Sequence, residues 1–104
     1  MKDRPHDEAM VEVFRADPSY AVELLNAILE DGDQGELLSA LRQMTKAFGG
    51  AAKVAERAQL NSTHIYRALS AEGNPGIRNL SAILRAMNLR LAVQPIQQSV
   101  AAHA

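Results

Sequence analysis

The stretch "ERAQLNSTHIYRALS" (Glu56–Ser70) decides the fold. A polar interruption, "NSTH", separates two apolar flanks. Asn61, Ser62 and Thr63 are three consecutive helix N-cap candidates, because a short side-chain oxygen there accepts an otherwise orphaned backbone N–H. With Ser62 at zero and about 100° per residue, Ile65 falls near 300°, Leu69 near 340° and Ala68 near 240°. These three define a buried side. Thr63 (about 100°), Arg67 (about 140°) and Ser70 (about 80°) define the opposite side, with His64 (about 200°) and Tyr66 (about 40°) at its edges. Tyr66 has two readings, a wedge between this helix and the core or a hydroxyl on the outer surface. The size of its ring favours the wedge.

Upstream, "AAKVAERAQ" reads as a short helix with Val54, Ala55 and Ala58 inward. Only "QLN" separates it from the helix that follows, and Leu60 suits the angle between two crossing helices. A short helix, a tight turn and a polar-faced helix form the helix-turn-helix arrangement, whose second helix presents donors to base edges while Lys and Arg meet phosphates. The plainer reading is that "NST" only caps a helix and Arg67 is a solvated surface cation. Both readings fit the residues alone.

Further out, Asp17-Pro18 is an N-cap followed by Pro at the first helical position. Tyr20, Leu24, Leu25, Ile28 and Leu29 then recur at helical spacing. This predicts helices at about 7–15 and 18–30, closed by the turn-rich "EDGDQG" (Glu30–Gly35). Leu37, Leu38, Leu41, Met44, Thr45 and Phe48 mark an amphipathic helix ending at Gly49-Gly50. After the break "SAEGNPG" (Ser70–Gly76), Ile77, Leu80, Ile83, Leu84 and Met87 mark another. "LRLAV" (Leu89–Val93) alternates at the period of a short strand. An unpaired edge there would invite aggregation, so it should pair across a two-fold or close on its own domain.

The chain has 104 residues, 47% of them hydrophobic and 4% aromatic, with no Trp or Cys. That is one Ala- and Leu-rich domain able to bury a small core, mainly α. Without Cys, disulfides and thiolate sites are excluded. "MKDRPHDEAM" has no apolar run of a signal peptide, and no stretch approaches the roughly 20 apolar residues of a membrane span, so a cytoplasmic protein is expected. The net charge of −1 hides an asymmetry: residues 1–35 carry three basic and nine acidic residues, and residues 36–104 eight basic and three acidic. Three units follow: an acidic N-terminal helical segment (1–35) packed on the same domain, a helix-turn-helix portion (36–94) and a flexible tail (95–104).

Catalysis and metals find no support in the pattern. His6, His64 and His103 lack ligand spacing, so no metal is expected. "EDGD" lacks the alternation and terminal Glu of a calcium loop. Gly49-Gly50 lacks the Lys-Ser/Thr of a phosphate loop. Ser62, Ser70 and Ser81 have no Asp–His company. The expectation is a non-enzyme with no cofactor.

"IYRALSAEGNP" (Ile65–Pro75), followed by "LSAILRAMNLRLAV" (Leu80–Val93), resembles the addiction-module antidote proteins, small HigA-like antitoxins with a lambda-repressor-like (XRE-type) DNA-binding fold. "YAVELLNAILEDGDQGELLSALRQMTKAFGG" resembles the lead-in of the same family, so the likeness spans roughly residues 8–94. Departures are Ser62 and Thr63, where charged residues are frequent, and Ile77, where an aromatic is usual. The resemblance implies a lambda-repressor-like domain with an N-terminal helical extension, autorepression of its own operon, and a RelE/ParE-fold toxin as partner. It implies that Ser62, Thr63 and His64 read bases, that Arg67 meets a base or phosphate, and that Lys53, Arg57, Asn74 and Arg78 meet phosphates of double-stranded operator DNA. A homodimer follows from half-sites about one helical turn apart. An acidic segment suits a basic toxin, with Phe14, Tyr20 and Leu24 as contact candidates and the tail beyond Pro95 in competition. Two alternatives stay open: a solitary phage-type repressor, and a protein-only interaction module.

Overall fold

The structure, a computed structural model, describes residues 3–96, with side chains from residue 6 onward. Six helices follow one another: α1 (Asp3–Ala16), α2 (Pro18–Asp31), α3 (Gln34–Ala47), α4 (Gly50–Ala58), α5 (Ser62–Ala68) and α6 (Ile77–Ala86). The mainly α expectation holds, and no strand forms among the described residues. The possible C-terminal strand expected at "LRLAV" is therefore corrected. Residues 89–96 carry no regular structure, because alternation makes a strand only where a neighbouring strand completes the ladder. Pro95 and Ile96 are described, while the rest of the expected tail, His103 included, lies outside the described residues.

Local chemistry sets each boundary. Asp17 caps α2, its Oδ1 accepting from the Tyr20 N–H (3.3 Å) and from the Ser19 hydroxyl (2.8 Å), with Pro18 at the first helical position. At the start of α3 the Asp33 carboxylate accepts from the Glu36 N–H (2.8 Å), while the Glu36 carboxylate accepts from the Asp33 N–H (2.9 Å). This reciprocal capping box converts the end of "EDGDQG" from a loop into a helix start. Gly49 (φ 124°) and Gly50 (φ 90°) then turn the chain from α3 into α4 within two residues, in a region that L side chains rarely enter.

Gln59 takes the left-handed conformation (φ 61°) after α4, and the Leu60 N–H reaches back to the Ala55 carbonyl at 2.9 Å. A glycine has no Cβ penalty there. Gln59→Gly is therefore expected to raise unfolding stability by about 0.5–1 kcal/mol, read as a higher urea midpoint at unchanged slope.

One core joins all six helices. Phe14, Leu41, Met44, Val54 and Ile83 are fully buried, with Leu38 and Ile65 at 1% exposure. α1 and α2 pack on α3, α3 on α4, and α4 on α5 and α6. The Gln43 side chain, itself buried, donates to the Asp7 carboxylate at 2.8 Å, so the polar group is paired across the α1–α3 seam. The acidic segment thus contributes Val11, Phe14, Ala21 and Leu25 to the same core as the basic portion.

Candidate nucleic-acid interface

α5 is seven residues long, and its orientation follows from what flanks it. Asn61 supplies the cap: its Oδ1 accepts the His64 N–H at 2.7 Å. Ile65, Ala68 and Leu69 face the core, and Leu60 in the turn packs against it. Behind the helix, the Arg42 guanidinium donates to the Leu69 carbonyl at 2.5 Å and satisfies its C-terminal end. Removing the cap by Asn61→Ala is expected to cost about 1 kcal/mol, visible as a lower urea midpoint.

With its inner side fixed, α5 presents Thr63, His64, Tyr66 and Arg67 to solvent, and Ser62 is half-buried. Tyr66 is 68% exposed, which corrects the wedge reading. Ile65 and Leu69 already fill the space beneath α5, so the ring lies outside, over a shallow depression shared with Arg42, Lys46 and Ala51. Thr45 borders the same depression, and its buried hydroxyl has no hydrogen-bond partner among the described residues.

The remaining candidates divide. Lys53 is exposed on α4, Asn74 on the link before α6, and Arg78 on the first turn of α6. Arg57 is exposed too, but its guanidinium leans on the carbonyls of Phe48 (3.4 Å) and Ala86 (3.5 Å), where α3 and α6 end. A helix-terminal carbonyl attracts a cation, so Arg57 has a structural employment here. From Gly50 to Ser70 the cations Lys53, Arg57 and Arg67 accompany a single acid, Glu56.

Two neighbours escaped the sequence reading. Lys46 joins the rim beside Tyr66, and Asn79 meets His64 across 2.9 Å. The helical period of α3 places Lys46 opposite the apolar stripe, but which helix it would border was not written in that period. Ile77, the first residue of α6, is 75% exposed rather than part of the buried α6 stripe.

Of the toxin-contact candidates, Phe14 is completely buried and is a core residue, a correction to its reading as a surface contact. Its ring sits 6.2 Å from that of Tyr20, which is 40% exposed, and Leu24 is half-buried. Among the described residues no group of three His, Asp or Glu side chains is placed to hold a metal ion, and no helix is long and apolar enough to cross a membrane.

Fold and surface together define a small mainly α protein whose fifth helix follows a tight turn and presents hydroxyl, imidazole and guanidinium groups outward. Residues 7–95 match the family described as "Probable addiction module antidote protein", and the chain belongs to that family. It is also 33% identical over 70 residues to an uncharacterized protein of Haemophilus influenzae, a span covering 67% of this chain and 71% of the relative. No solved structure matches it significantly. Membership points to the antidote of an addiction module, a regulatory binding protein with a toxin as its partner.

Proposed function

We propose that the chain is a sequence-specific DNA-binding antitoxin that represses its own operon and neutralises a RelE/ParE-fold toxin by direct contact. The observation that carries the DNA half is the exposure of Thr63, His64 and Arg67 on one capped helix, directly after the turn Gln59–Asn61. Donor-rich residues at the start of such a helix match base edges in the major groove, and flanking cations match phosphates. Ser62, Thr63 and His64 read bases in this account. Arg67 takes a base or phosphate, and Lys53, Asn74 and Arg78 take phosphates. Arg57 contributes mainly by holding helix ends.

A two-fold dimer sets two α5 helices about 34 Å apart on successive turns of DNA. The toxin half rests on family membership and on the acidic charge of residues 1–35. Tyr20 is the contact candidate whose ring reaches the surface.

The site assignment is tested by salt-titrated binding to the DNA upstream of the gene. Lys53→Ala and Arg78→Ala are each expected to lower the slope of log K against log salt by about 1, since each removes one phosphate contact. Slopes equal to the parent in both variants would overturn the assignment.

A further inference from the structure

We propose that Asn79, on α6, is a positioning residue that makes His64 a hydrogen-bond donor to the acceptor edge of an operator base. The inference rests on the DNA reading of α5 and adds to it the chemistry of one base contact. The Asn79 amide nitrogen lies 2.9 Å from His64 Nε2. With the amide nitrogen toward the ring, that group donates and Nε2 accepts; this is the arrangement the proposal takes. A neutral imidazole carries one N–H, and with Nε2 accepting, that proton sits on Nδ1. His64 is exposed, and among the described residues Nδ1 has no partner. The contact joins residues 15 apart in sequence, and so fixes the imidazole of α5 from the first turn of α6 rather than from its own helix.

A ring held in this tautomer offers the groove a donor and no free acceptor. In the major groove guanine shows N7 and O6, adenine shows N7, and thymine shows O4, all acceptors. Cytosine shows only its N4 amino donors. The operator position facing His64 therefore accepts guanine best and rejects cytosine, by on the order of tenfold in affinity.

Two readouts on the intact protein test this. Nitrogen-15 spectra of histidine-labelled chain at pH 8, with His64 assigned by its loss in His64→Gln, report the tautomer without any DNA. The expected result is an Nδ1–H imidazole in the parent that moves to the Nε2–H form, or to a mixture, in Asn79→Ala. Alanine is the better helix former, so the variant keeps its fold. An Nε2–H imidazole in the parent, or no change in the variant, would overturn the proposal.

The second readout is binding of the parent and Asn79→Ala to operator fragments carrying each base in turn. One position should discriminate against cytosine in the parent, with that discrimination falling by at least about threefold in the variant while affinity for the other positions is kept. Identical base preferences in the two proteins would overturn the specificity role even with the expected tautomer. Failure of every fragment to bind would overturn the DNA reading and the base contact with it, and the spectra would still report the tautomer.

Discussion

Gly73→Ala is expected to be the most damaging single-methyl change in the chain. A Cβ at Gly73 would stand 2.1 Å from the Ala68 carbonyl oxygen and 2.8 Å from that of Arg67, both backbone atoms of α5. Neither can yield without moving the helix. The same residue is held on both sides, its N–H donating to the Ser70 carbonyl (2.8 Å) and its carbonyl accepting from the Gln34 side chain (3.0 Å). Relief therefore requires the α5–α6 link to move off α5 against these two hydrogen bonds. A destabilisation of about 3 kcal/mol is expected, at the upper end of overpacking costs, which lowers the urea midpoint by more than about 1 M. Gly76→Ala is the control: nothing stands within 4 Å of its Cβ, and as the N-cap of α6 it should lose no more than about 1 kcal/mol. Equal midpoints for the two variants would contradict the packing described for this loop. The loop also links α5 to α6, so under the proposed function Gly73→Ala should weaken DNA binding as it weakens the fold.

Phe14→Ala is expected to cost about 3–5 kcal/mol, a large share of the 5–15 kcal/mol that a small domain possesses. The ring is completely buried between the N-terminal segment and the α3 core, and nothing nearby replaces it. Urea unfolding followed by far-ultraviolet circular dichroism should show the loss as a single shifted transition, because the two portions share one core. An unchanged midpoint would mean that the acidic segment docks without Phe14. The more acceptable surface test of toxin contact is therefore Tyr20→Ala, whose ring is partly exposed.

The parts of this fold that were legible in the sequence are those fixed by neighbours within a turn or two. The period of Ile65, Ala68 and Leu69 gave the buried side of α5, and Asn61 and Asp17 gave helix starts, since a cap needs only its own N–H partners. What resisted reading depends on distant elements. The usual burial of large rings points Tyr66 toward the core. Its place outside depends on Ile65 and Leu69 filling the space and on α3 bringing Lys46 and Arg42 alongside. Phe14 lies on an amphipathic face that would serve a partner or the chain's own core equally well, and only the position of α3 decides. The alternation in "LRLAV" could not supply the neighbouring strand it requires. The pairing of His64 with Asn79 exists only once α5 and α6 are placed.

The central claim, that α5 reads operator sequence, is tested most directly by fluorescence anisotropy. The protein would be titrated into a labelled fragment from upstream of its own gene and into a scrambled fragment of equal length and composition, at about 0.15 M salt. The account predicts binding to the native fragment at least about 10³ tighter than to the scrambled one, the ratio typical of sequence-specific DNA binding, with Arg67→Ala narrowing the gap. Equal affinity for the two fragments would contradict it.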